Sequence, residues 1–367
     1  MHFGVLLLFA NAASSLSDGE LWKAEMDLGE YVEEVGYDSV WVPEHHFDRP
    51  YCVSPDPLQA LTYLAARTSR IQLGTGAVIL PWHRDPIRLA ERISMLDVLS
   101  DGRLQLGLGR GLARVEYEGF GIAMDESRER FNESARTLLA GLETGVIEHE
   151  GKHFSQSRRE IFPRPERSFQ DRLFTIAMSP ESTVAMAEIG GGLMCFNYQY
   201  PIEQQAAQFD TWRARYREVQ GAEPPPPTLL DFAYCHADAE VADKTMRQYL
   251  SRFYSAMVDH YEFDGKHFGA STDYSSYQSG ADMLREYGRE AGFEAFYDLQ
   301  LKGSPEQMVE TLLRRRELCG EYRQMLLVSY GGMDYKDVKE SLRLISEEVI
   351  PEVNRRAAVS SPAGVNG

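Results

Sequence analysis

Cysteine is scarce in this chain and carries no pattern. Cys52, Cys195, Cys235 and Cys319 are scattered, with no CxxC pair and no metal-like spacing. That argues against a disulfide framework and for a reducing compartment, so a cytoplasmic location is expected. No apolar run approaches the roughly 20 residues needed to cross a bilayer. Positive charge is also short: 38 Lys and Arg stand against 56 Asp and Glu, giving a net charge of −18. With no Lys/Arg cluster to interrupt that balance, nucleic acid and anionic membrane surfaces are excluded as expected partners. A hydrophobic fraction of 43% is ample for a large core.

At 367 residues the chain has room for two ordinary domains or one barrel with insertions. The apolar start, Gly4 to Ala10, precedes Ala10-Asn11-Ala12, which has the look of a signal-peptidase site. The stretch before it has no Lys or Arg and its apolar core is short, so a first strand is the better reading. From there, short β-like runs alternate with amphipathic helices every thirty-odd residues, the sign of a parallel sheet. Strands are expected at 2–9, 40–44, 71–80, 104–109, 174–178, 193–197, 228–237 and 324–330. Helices are expected at 18–35, 57–68, 125–147 and 203–219, from Asp85-Pro86, from Ser179 and over 334–349. Residues 148–154 read as a small hairpin or loop insertion. Together these make one (β/α)8 TIM barrel over residues 1–356. An aromatic-rich insertion occupies about 239–302, and its Gly269–Gly280 stretch is a candidate mobile lid. Residues 357–367 are expected to be a disordered tail.

Trp41-Val42-Pro43-Glu44-His45-His46-Phe47 is an apolar strand that ends in an acid and two histidines. In a parallel barrel, catalysis sits at the carboxyl ends of the strands. Neighbouring strand residues face opposite sides, so at most one of His45 and His46 points into the barrel, and the sequence does not say which. Three consecutive residues cannot converge on one ion and no HExxH spacing occurs, so no metal is expected. Other strand ends carry Gly76-Ala77, Gly109-Arg110-Gly111 and Met178-Ser179-Pro180. Ser179 before Pro180 reads as a helix N-cap, and the amides of Glu181, Ser182 and Thr183 with the helix dipole would attract an anion. A plain cap explains the same residues equally well. The lone GxGRG lacks the third glycine and the later acid of a dinucleotide fingerprint.

As a set, Glu44-His45-His46-Phe47, Gly74-Thr75-Gly76-Ala77-Val78-Ile79-Leu80-Pro81, and Leu96 through Gly111 resemble the bacterial-luciferase-like flavin monooxygenases. Gly303-Ser304-Pro305-Glu306-Gln307 and Ser329-Tyr330-Gly331-Gly332 add to the likeness, which is weakest over 238–300. The resemblance implies a (β/α)8 barrel and a two-component monooxygenase. Reduced FMN would come from a separate NAD(P)H:flavin reductase, react with O2 to a C4a-hydroperoxide, and oxygenate a small organic substrate. It puts the catalytic histidine at His45. It puts the flavin against Glu44, a non-proline cis peptide at Gly76-Ala77, and Met178. It puts the phosphate between Arg110 and the Ser179, Glu181 and Ser182 turn. A homodimer through the early helices is implied, with Leu58, Leu61, Leu64, Ala65 and Tyr63 as candidates. Bacterial luciferase has a reactive cysteine where this chain has Gly109, so neither light emission nor the same aldehyde substrate is inferred. A deazaflavin-dependent oxidoreductase and a non-catalytic flavin-binding subunit are the alternatives. Aldehyde, ketone and polyketide-like aromatic substrates all stay open.

Overall fold

The structure, a computed structural model, describes residues 1–13, 15–198, 200–270 and 274–360. Eight parallel strands close into a ring with helices between them. They are Phe3–Leu6, Ser39–Val42, Gln72–Thr75, Leu104–Gly109, Leu173–Ile176, Gly192–Phe196, Thr228–Cys235 and Arg323–Leu327. Each pairs in parallel with the next, and the last returns to the first through Phe3↔Gln324 and Leu6↔Leu327. This is the (β/α)8 barrel that the alternation of strands and helices predicts.

The barrel is filled by side chains, as its apolar strands require. Trp41 is its largest plug: the indole donates from Nε1 to Ser39 Oγ at 2.8 Å and meets the Phe174 ring edge-on at 5.1 Å. Gly74 makes room for it, since a Cβ there would lie 2.1 Å from the indole. Lower down, Asp231 is buried but fully partnered. It accepts from Arg315 at 2.8 and 3.0 Å, from Gln324 at 2.7 Å and from Asn197 at 2.9 Å. A buried carboxylate is tolerated only with such compensation.

The sequence reading misplaced several boundaries. The run 71–80 is not one strand: it breaks at a cis Gly76-Ala77 peptide, and Val78–Ile79 then pairs with Leu108 and Gly109. The long helix covers Ser127–Thr144, stopped by Gly145 at φ 73°. The hairpin pairs Val146–Glu150 with Ser155–Glu160, wider than the expected 148–154. A short helix, Arg114–Phe120, stands where the sequence reading places no element. Within 239–302 the chain forms helices Ala239–Tyr261 and Gln278–Leu299 and a strand, Leu301–Gly303, beside the seventh barrel strand. Of the expected lid, residues 271–273 lie outside the described residues. The final helix runs to Ser360, and Ala357 on it is buried. Residues 361–367 of the expected tail lie outside the described residues. Leu58, Leu61, Leu64 and Ala65 are buried within the protein, which leaves Tyr63 as the exposed apolar group among the helix residues proposed for association. No described helix is long and apolar enough to cross a membrane.

Candidate active site

The chain leaves the second barrel strand at Val42 and is pinned immediately. Ser54 donates its hydroxyl to the Pro43 carbonyl at 2.8 Å, and the His45 amide donates to the Ser54 carbonyl at 2.8 Å. Held this way, the two histidines part. His45 lines a large cavity at the carboxyl end of the barrel. His46 does not line it; its ring packs edge-on to Trp82 at 5.2 Å and Phe120 at 4.7 Å.

Glu44 is buried and lines the same cavity. Its carboxylate accepts from the Ile79 amide at 2.8 Å and from His83 at 3.1 Å, with His46 at 3.4 Å. Burial pushes its pKa up, but the hydrogen bonds from His46, His83 and Ile79 outweigh that and hold it below the usual carboxylate range. Glu44 therefore braces the strand end against the Val78–Ile79 segment beyond the cis peptide.

Behind His45 stands a group that the sequence reading missed. Glu116, on the short helix Arg114–Phe120, is 1% exposed; its Oε1 lies 3.1 Å from His45 Nδ1 and accepts from the His46 amide at 2.7 Å. His260, from the last turn of helix Ala239–Tyr261, completes the cluster, with Nδ1 3.0 Å from Asp48 Oδ2. Burial lowers the His260 pKa and outweighs the Asp48 carboxylate, which favours the protonated ring. Tyr51 stacks on the His260 ring at 4.2 Å, and its hydroxyl meets that of Tyr261 at 2.9 Å.

Gly76, Ala77, Gly109, Arg110, Met178 and Ser182 all line the same cavity, which encloses about 1290 Å³ counting its open mouth. Gly109 keeps the wall thin: a Cβ there would sit 2.6 Å from Ile79 Cδ1. Arg128 and Asn132, unforeseen from sequence, add polar groups to the lining. The Arg110 guanidinium lies 4.1 Å over the Tyr274 ring, and the Tyr274 hydroxyl donates to the Gly111 carbonyl at 2.9 Å. Tyr274 and Tyr277 thus bring the described part of the 269–280 stretch onto the cavity wall. Tyr261 and Phe253 line it as well, so most of its surface is aromatic or aliphatic. Cys52 is also on the wall, but burial raises its thiol pKa and keeps it protonated.

The helix start at Pro180 differs from expectation. The Ser182 amide donates to Ser179 Oγ at 3.2 Å and the Thr183 amide to the Ser179 carbonyl at 2.9 Å. Two of the three amides expected to hold an anion are thereby taken, the Ser182 amide by a capping box and the Thr183 amide by the first turn of the helix. Ser179 serves that cap, Ser182 reaches the cavity wall, and the Glu181 side chain lies outside the described residues.

A family model described as luciferase-like monooxygenase matches residues 1–321. The chain belongs to this family. As a luciferase-like monooxygenase it is 33% identical to uncharacterized protein y4vJ of Sinorhizobium fredii, over 97% of this chain and 98% of that one. It is 24% identical to the oxygenase component of the flavin-dependent trigonelline monooxygenase of Acinetobacter baylyi, over 98% and 99% of the two chains. Among solved structures, monooxygenase RslO1 of Streptomyces bottropensis superposes with a TM-score of 0.80 at 27% identity, covering 96% and 99%. An F420-dependent secondary alcohol dehydrogenase shares the fold, with a TM-score of 0.70 at 15% identity over 96% and 98%.

Proposed function

We propose that this luciferase-like monooxygenase is the oxygenase half of a two-component system. It takes reduced FMN from a separate NAD(P)H:flavin reductase in the cytoplasm and uses O2 to oxygenate an apolar organic substrate. The observation that carries the reading is one cavity lined by His45, the Gly76-Ala77 segment and Arg110. These are an acid–base group, a surface with little side-chain bulk for a flat ring, and a cation for a phosphate. The cavity fits that cofactor by its chemistry. Arg110 offers a planar fork suited to a phosphate monoester. At Gly76 and Gly109 a Cβ would lie 2.6 Å from Leu6 and Ile79, so these wall positions carry no side chain.

Reduced flavin supplies the electrons that activate O2; the protein's own residues do the rest. His45 is placed to hold or move a proton at the ring nitrogen facing the cavity, and Glu116 fixes the other nitrogen at 3.1 Å. Tyr274, Tyr277 and Tyr261 exclude water, which strengthens polar interactions inside and limits wasteful decay. The relative from Acinetobacter baylyi is named as an oxygenase component, which supports a separate reductase partner.

The test is a substrate screen with photoreduced FMN and air, read by mass spectrometry for products gaining one oxygen. A parallel anaerobic arm supplies reduced deazaflavin with the same substrates. Oxygenated product in the first arm alone is the expected result. Reduction of substrate in the second arm without O2 would move the protein to the deazaflavin class. Flavin binding with no turnover of any substrate would favour the non-catalytic reading.

A further inference from the structure

The cluster behind His45 has more donor atoms than proton transfer needs. Its three side chains come from separate places: the exit of the second strand, helix Arg114–Phe120, and the last turn of helix Ala239–Tyr261. His45 Nδ1 lies 3.1 Å and His260 Nε2 lies 3.7 Å from the same oxygen of Glu116. The three ligand atoms all fall within 4.8 Å of one another. Glu116 and His260 are 1% and 2% exposed, yet Glu116 Oε2 and His260 Nε2 have no hydrogen-bond partner among the described residues. A buried lone pair left in that state needs an explanation. A proton relay alone does not supply one, because it would pair these atoms.

Two imidazole nitrogens and one carboxylate are the donors of a three-ligand zinc site. The surroundings complete it. Asp48 accepts from His260 Nδ1 at 3.0 Å, which puts the ring's lone pair on Nε2, toward Glu116. The His46 amide braces Glu116 at 2.7 Å. Donors about 2.0–2.1 Å from a tetrahedral ion sit roughly 3.3 Å apart, so the cluster needs to close by about 1–1.5 Å at most. His45, the most exposed of the three, can supply that by rotating. No contiguous motif reveals the set, because its members are spread from residue 45 to residue 260.

We propose that His45 Nδ1, Glu116 and His260 Nε2 bind one zinc-class divalent ion behind the cavity wall, and that this ion inhibits the enzyme by taking the His45 ring from its proton-transfer role. The binding stands on this geometry alone; the inhibition rests on the monooxygenase reading above.

The experiment is calorimetric titration of the chelator-treated full chain with zinc chloride. It is run in a His149→Ala/His153→Ala background, because those two histidines lie near Glu133 and Glu129 and would add a weak site. One zinc per chain is expected in that background, and cobalt should give the visible ligand-field bands of a low-coordinate site. His45→Ala and His260→Ala should each weaken binding at least tenfold, Asp48→Asn about tenfold, and Cys52→Ser should leave it unchanged. His45 lines the cavity, so its variant decides the matter if His260→Ala fails to melt cooperatively. Absence of stoichiometric zinc in the background protein, or binding that survives His45→Ala, overturns the site. Zinc that binds without slowing substrate oxygenation overturns the inhibition. A protein that binds zinc and lacks oxygenase activity with every substrate refutes the functional reading and leaves the site standing.

Discussion

Arg110→Ala separates the phosphate from the rest of the flavin. In the wild-type protein the guanidinium lines the cavity and lies 4.1 Å over the Tyr274 ring, so the substitution removes two things at once. A charge-assisted hydrogen bond to a phosphate contributes about 1.5–3 kcal/mol, roughly 10- to 150-fold in Kd. The stacking contributes on the order of 0.5–1 kcal/mol at a half-buried site, roughly 2- to 5-fold. Riboflavin has no phosphate and feels only the second loss, through a loosened Tyr274. The ratio of the FMN loss to the riboflavin loss therefore isolates the phosphate contact, whatever Tyr274 does. Both ligands should be titrated in reduced form under anaerobic conditions, by fluorescence or calorimetry. The FMN loss should exceed the riboflavin loss by about tenfold or more, and added salt should weaken FMN binding in the wild type more than in the variant. Equal losses for the two ligands would refute the assignment. Should Arg128→Ala, on the same wall, show the selective loss instead, the clamp is Arg128 and the strand-end arginine is structural.

Three further outcomes are expected. His45→Ala should fold, bind FMN, and lose about 10²-fold or more in product formation while releasing more H2O2. His46→Ala should be milder, because that ring packs against Trp82 and Phe120, and the reverse order would mean the cavity histidine is misassigned. Glu25 has its pKa raised from 4.5 to about 7, because burial outweighs its bonds to Ser329, Tyr335 and the Phe9 backbone. Its folded pKa lies above its unfolded one, so its stabilising contribution is full below pH 4.5 and is lost as pH rises through 7, by roughly 3 kcal/mol. Melting curves of Glu25→Gln should therefore gain on the wild type between pH 5 and 8, and a difference that does not change with pH would sink the argument. Tyr63, Met95 and Leu99 are exposed on two early helices that pack together, so a homodimer is expected to use them. Light scattering should show a dimer that Tyr63→Glu weakens, and a monomeric mass for the wild type at micromolar concentration would reject it.

The barrel was legible because each of its strands is buried on both faces and so reads as a short apolar run. The helices between them carry their own stops, as at Gly36 and Gly221. Legibility failed where local geometry broke the pattern. Residues 71–80 are largely apolar, yet the strand breaks at Gly76-Ala77 and Val78–Ile79 then pairs with Leu108 and Gly109. Helix Arg114–Phe120 is seven residues long, and four of them are charged or glycine, so no apolar period is long enough to announce it. The helix start at Ser179 was placed correctly, but its amides were counted as open when the serine at 182 turns back and closes the cap.

The site itself divides along the same line. His45, Gly76, Ala77, Arg110 and Met178 each stand at the end of a strand, where a run of apolar residues stops and a barrel puts its chemistry. Glu116, Asp48 and His260 do not. Glu116 is 71 positions from the histidine it braces, and Asp48 is 212 positions from the ring it orients. Nothing within a window of thirty residues distinguishes Glu116 from the exposed Glu118 beside it on the same helix, whose burial is opposite. What selects Glu116 is barrel closure, which brings the loop after the second strand, the helix after the fourth and the helix after the seventh over one cavity. Strand ends can be read one at a time. The groups that tune them follow only once the ring is closed.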